Sequence, residues 1–85
     1  FILRGIINDY KRTVDSYTSS GEVKEYRISV STQFTLIDSK KDEELWDKRI
    51  NESVIYSATE DETEGVGDVA ERIKDSLLRI MLDSW

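Results

Sequence analysis

The stretch EYRISVSTQFTLID, Glu25 to Asp38, sets Tyr26, Ile28, Val30, Phe34 and Leu36 in alternation with Arg27, Ser29, Ser31, Gln33 and Thr35. A period of two sends successive side chains to opposite sides of an extended backbone, so residues 25–38 predict a strand with one dry and one wet face. Downstream, LWDKRINESVIY repeats the pattern, with Trp46, Ile50, Val54 and Tyr56 on one side and Asp47, Arg49, Asn51 and Ser53 on the other. Two such strands in succession predict an antiparallel hairpin, the second strand spanning about 45–57.

Working outward, residues 1–14 hold β-branched and aromatic side chains (Ile2, Ile6, Ile7, Tyr10, Thr13, Val14) and read as a first strand, with Gly5 as a bend or bulge in preference to a close backbone approach. DSYTSSGEVK (15–24) has the composition of a hairpin loop, across which Tyr17 and Val23 can face one another, and DSKKDEE (38–44) is a charged turn. ATEDETEGVG (58–67) is acidic and carries Gly65 and Gly67, the composition of a flexible connector. From Asp68 the apolar period lengthens: Val69, Ala70, Ile73, Leu77, Ile80 and Met81 share one stripe, which predicts a helix over about 68–84 with Asp68 as N-cap and Glu71 behind it. Asp68 with Arg72 and Asp75 with Arg79 are candidate i,i+4 ion pairs. The fold class that follows is α+β, an antiparallel three-stranded β-meander with a C-terminal helix packed on one face, forming a single domain over 1–85. In such a connectivity the 15–24 and 58–67 segments share one end of the domain, and Lys40-Lys41 lies at the other.

Composition narrows the function. The 85 residues contain no Cys and no His, which removes disulfides, thiolate zinc sites, thiol nucleophiles and the commonest general base. A formal charge of −6, from 12 basic and 18 acidic residues, argues against a nucleic-acid surface, because phosphate binding needs a basic field. No secretion signal is visible and no apolar run approaches the roughly 18 residues of a membrane span. Asp38, Asp47 and Glu52 are the carboxylates an enzyme would have to converge, and their spread over a turn and a strand points away from catalysis. No cofactor is implied. The chain opens on Phe1-Ile2-Leu3 with no initiator Met, and reads as the carboxy-terminal part of something longer.

An ordered series of short motifs carries a resemblance. A loop ending in Gly21 is followed by Glu25-Tyr26-Arg27, a strand ending Phe34-x-Leu36-x-Asp38, Leu45-Trp46, Tyr56 before an acidic segment, and a closing helix with Ala70, Ile73, Leu77, Leu78 and the terminal Trp85. This series, over nearly the whole chain, resembles the LptE family of bacterial outer-membrane lipopolysaccharide-assembly lipoproteins. The resemblance implies a two-layer α/β sandwich whose amino-terminal half, lacking here together with its lipidated cysteine, supplies one more strand and helix. It also implies a non-catalytic subunit on the periplasmic side of the outer membrane, plugging and helping to assemble a large β-barrel lipopolysaccharide translocon protein and contacting lipopolysaccharide. In the family that contact is attributed to basic residues in loops at one end. Here the first loop offers Lys24, two residues after Glu22, and the 58–67 segment carries Glu60, Asp61, Glu62 and Glu64 with no Lys or Arg.

The candidate binding residues are Lys24, Arg27 and Arg49, for lipopolysaccharide or the barrel partner. The acidic 60–64 run reads either as a solvated loop or as carboxylates bridged to lipid phosphates by divalent cations, although its spacing matches no calcium-loop template. Trp46 and Tyr56 read as core under the helix, with a lipid-binding groove as the competing account. The wet sheet face faces either water or a polar barrel interior. A second functional class is a small envelope module binding lipid or peptide without a barrel partner. An uncovered sheet edge and apolar face also predict self-association.

Overall fold

The computed structural model describes residues 1–84. Strands β1 (Ile2–Tyr17), β2 (Val23–Asp38) and β3 (Glu43–Ser57) precede helix α1 (Glu62–Ser84). The strands form one antiparallel sheet in the order β1-β2-β3. The two alternating patterns meet in register: Tyr26 opposes Tyr56, Ile28 opposes Val54, Thr32 opposes Ile50 and Leu36 opposes Trp46. A slip of one residue would turn every apolar side chain to water, so burial of this face enforces the pairing. Thr32 is the polar residue inside it, and its hydroxyl donates to the Ile50 carbonyl at 2.8 Å.

Both hairpin turns are held locally. Gly21 takes a positive φ of 89°, its N–H donates to the Thr18 carbonyl, and the Thr18 hydroxyl accepts from the Glu22 N–H at 3.1 Å. Asp38 accepts the Lys40 and Lys41 N–H groups, and Asp42 closes that turn with φ 51°. Tyr17 opposes Val23 across the first turn, as their positions predict. The Ala58 N–H donates to the Lys24 carbonyl at 2.9 Å, which places the β1–β2 loop and the β3–α1 connection at one end, as the connectivity requires.

Helix α1 begins at Glu62, not at Asp68, so Asp68 is inside the helix and Gly65 and Gly67 belong to its first turns rather than to a flexible connector. The Glu64 N–H donates to the Asp61 carbonyl at the entrance, and Glu62 and Glu64 set negative charge where the helix dipole is positive. Gly65 is explained by packing: a Cβ there would lie 2.8 Å from the Tyr56 ring and 2.9 Å from Ile28 Cδ1, so a side chain would push the helix off the sheet. Gly67 has nothing within 4 Å of its hypothetical Cβ. Gly65→Ala is therefore expected to cost about 1–3 kcal/mol by overpacking. Gly67→Ala is expected to gain up to about 1 kcal/mol from helix propensity. Urea titrations of the two variants check this opposition of sign.

The core comprises Ile28, Val30, Val54, Tyr56 and Val69, with Tyr26 and Ile73 packed against it. Helix α1 lies over β3 and the adjoining part of β2. Twenty-three residues at 1.5 Å each reach about 34 Å, whereas the 16-residue β2 extends about 53 Å, so the core is concentrated toward the loop end. Trp46 is half-buried toward the other end, outside that core cluster, and its indole N–H is buried with no acceptor among the described residues. Neither expected i,i+4 pair is formed among the described residues: Arg72 instead reaches across to the Ser53 carbonyl at 3.2 Å, and the ion pair along the helix joins Lys74 to Glu71.

Strand β1 differs from its sequence reading in two ways. The bulge sits between Ile7 and Asp9, with further irregularities after Val14 and after Ser16, and not at Gly5. Gly5 instead lies beneath the Phe34 ring, where a Cβ would fall 2.8 Å from Cε1, so its role is close approach of an aromatic ring to the backbone. The bulge also moves the dry-face positions of β1 from Leu3, Gly5 and Ile7 to Tyr10, Arg12 and Val14, as their partners on β2 show.

Candidate docking surface

The side of the sheet away from α1 is polar because β2 and β3 alternate, and its side chains are already joined across the strands. Ser31 donates to the Asn51 side-chain oxygen at 2.7 Å, and the Gln33 amide reaches both Asp47 oxygens at 2.8 and 3.0 Å. Arg27 bonds Ser53 at 3.1 Å and pairs with Asp15 of β1 at 3.1 Å, while Ser16 donates to Glu25 at 2.9 Å. Arg4 and Lys11 of β1 fall on the same side, opposite Thr35 and Ser29. The result is a preformed lattice of donors and acceptors in which both signs of charge interleave. Such a surface suits contact with another polar wall rather than a single anion.

The three candidate residues are not gathered into one site. Arg27 lies near the loop end and is partly neutralised by Asp15. Arg49 is exposed opposite Gln33, six positions along β2 from Arg27, or about 20 Å. Lys24 is exposed at the start of β2, where its backbone carbonyl holds Ala58. Arg27 and Arg49 share the polar face, and Lys24 belongs to the loop end.

A residue not singled out in the sequence organises that end. The Arg12 guanidinium lies 4.5 Å from the Tyr26 ring centroid, reaches the Tyr56 hydroxyl at 3.5 Å and pairs with Glu62 at 3.3 Å. Tyr26 and Tyr56 stack with centroids 5.6 Å apart. Arg12 thus ties β1 to the start of α1 over an aromatic pair. The readable signal is an arginine whose face coincides with Tyr26 and Tyr56, and it appears only once the bulge is placed. Close by, the Glu64 carboxyl is raised above its ordinary value, first by a hydrogen bond with Glu60 and then by the negative charge of Glu60, Asp61 and Asp68. Among the described residues no group of three or more acidic side chains is arranged to hold a metal ion.

On the dry side, α1 leaves an open apolar groove along β1, lined by Ile7, Tyr10, Phe34, Val66 and Ile73 over a floor that includes Thr32. The Thr32 hydroxyl is engaged with the Ile50 carbonyl, and Tyr10 is the other lining residue that carries a hydroxyl. Trp85, the terminal aromatic of the sequence motif, lies outside the described residues. Among the described residues no helix is long and apolar enough to cross a membrane.

Comparison with known proteins complements this geometry. The sequence model of the LptE family, described as lipopolysaccharide-assembly, matches residues 2–83. No curated protein and no solved structure gives a significant match. The matched span takes in all three strands and the helix as far as Asp83, together with the motifs read from the sequence short of Trp85; the chain belongs to the LptE lipopolysaccharide-assembly family.

Proposed function

We propose that this chain is a non-catalytic subunit of the outer-membrane lipopolysaccharide transport and assembly complex, plugging and helping to assemble a large β-barrel partner. Its place is the periplasmic side of the outer membrane, with a lipid anchor upstream of Phe1. The observation that carries the reading is the cross-linked polar reverse of the sheet, on a domain of 60 × 21 × 16 Å, in a member of a lipopolysaccharide-assembly family. Inside a barrel, such a face exchanges water for the polar groups of the inner wall. Its own hydrogen bonds hold the side chains in place, so little ordering entropy is lost on docking. Lys24 and Arg27, toward the loop end, supply the positive charge for lipopolysaccharide phosphates.

Co-purification with a tagged outer-membrane barrel protein tests this. The native chain is expected in the eluate, and Arg49→Glu and Arg27→Glu are each expected to weaken retention about tenfold, equivalent to about 1.4 kcal/mol. Both variants should keep the native circular dichroism, because exposed ion pairs contribute only about 0–1 kcal/mol. Loss of neither interaction, or no retention of the native chain, contradicts the docking role.

A second reading is a small envelope module that binds lipid or peptide without a barrel, and the groove along β1 is the observation that favours it. Fluorescence of an apolar dye, abolished by Ile7→Lys and accompanied by no barrel retention, would move the assignment to that class.

A further inference from the structure

Strand β1 is an open edge: β2 pairs with one side, and no strand lies along the other among the described residues. Edge strands are ordinarily guarded by charge, proline or short length. Here Ile2–Ile7 carries Arg4 as its one charged residue and no proline, and Ile2, Ile6 and Ile7 are 50, 52 and 70% exposed.

The bulge between Ile7 and Asp9 gives this edge a self-complementary order. Arg4, Ile6 and Asp9 lie opposite Thr35, Gln33 and Ser31 on the polar face; Leu3, Gly5, Ile7 and Tyr10 lie opposite Leu36, Phe34, Thr32 and Val30 on the apolar face. Measured along β2, Arg4 and Asp9 are equally distant from Ile6 on either side, as are Gly5 and Ile7, and Leu3 and Tyr10. A two-fold axis through Ile6, perpendicular to the sheet, therefore sets Arg4 against Asp9 of a second copy twice and Leu3 against its Tyr10 twice. Every one of these pairs joins like face to like face. A bulge-free strand would oppose Arg4 to Asn8 in the same arrangement. Arg4 makes no ion pair among the described residues, and the Asp9 pair with Lys11 spans 4.0 Å.

We propose that β1 docks antiparallel against β1 of a second copy of this chain in the register centred on Ile6, with Arg4 paired to Asp9 across the two-fold axis. Backbone hydrogen bonds supply the attraction and the charge order supplies the register, as in other strand additions to an open edge. The two polar faces become one continuous surface, and both helices lie on its opposite side. This pairing is independent of the lipopolysaccharide reading.

Sedimentation of the 85-residue chain over a range of concentrations, with three charge variants and one groove variant, tests it. The native chain is expected to dimerise. Arg4→Asp and Asp9→Arg each place two like-charge contacts in the interface and should weaken the dimer by about tenfold or more. The double reversal should restore it, and Val66→Glu, which alters the groove and not the edge, should leave it unchanged. A native chain that stays monomeric, association indifferent to the single reversals, or failure of the double reversal to restore it would overturn the proposal. A dimer lost with Val66→Glu would also overturn it, since the groove would then be the interface.

Discussion

Replacing Ile28 with alanine lowers the unfolding free energy by about 2–5 kcal/mol in a urea titration, the range for a cavity in a core that relaxes only partly. Ile28 is the fully buried large side chain among the described residues, at 0% exposure, held between Val54 across the strand pair and the helix backbone at Gly65. An 85-residue domain has a total stability of roughly 4–13 kcal/mol, so this one substitution removes a large share of it. Ile55→Ala, one strand over and 43% exposed, is the matched control and should stay within about 1 kcal/mol of the native chain. Equal losses at both positions would mean that the apolar side of the sheet is not where folding energy is concentrated. The strand alternation points to Phe34 and the helix stripe to Leu77 as comparably costly sites, yet both are only half-buried, and the larger loss belongs to Ile28.

Val69→Asp should be still more disruptive. Val69 is 2% exposed and is the helix residue of the central cluster, facing Ile28, Val30, Val54 and Tyr56. A carboxylate there has no cation in the cluster and must either lose its solvation, at a cost of several kcal/mol, or lever the helix away. The outcome is expected to be loss of cooperative unfolding and fast amide exchange throughout α1. Leu78→Asp, on a 51%-exposed position of the same helix, should leave both properties native. Because α1 touches the sheet mainly through β3 and β2, detaching it would expose the centre of the domain and not merely its rim.

The parts of the fold most legible in the sequence are those where periodicity acts over many residues. The alternations of Tyr26–Leu36 and Trp46–Tyr56 predict an antiparallel β2–β3 pair with one shared dry face, and the stripe Val69, Ile73, Leu77 predicts the helix. Features set by a single contact were not legible. Gly65 reads as a breaker, because composition cannot reveal that Tyr56 and Ile28 occupy the space where its side chain would lie. Gly5 reads as a bulge in preference to the close approach it makes with Phe34 for the same reason, while the real bulge beside Asn8 has no glycine to announce it. The docking face was visible as a row of polar residues, but its internal bonding was not. Arg27 and Arg49 stand out in the sequence as cations on the wet face, whereas their distance apart and the pairing of Arg27 with Asp15 depend on register and bulges. The role of Arg12 is not legible in the sequence, because its face is decided by the slip after Ile7.

The docking account depends on which side of the domain meets the barrel. A photo-crosslinking residue at Arg49 or Asn51, both exposed on the polar sheet face, should give a covalent adduct with the barrel protein in intact outer membranes, and the same residue at the exposed helix position Asp75 should give none. Adducts from Asp75 with silence at Arg49 and Asn51 would contradict the assignment of the sheet reverse as the docking surface.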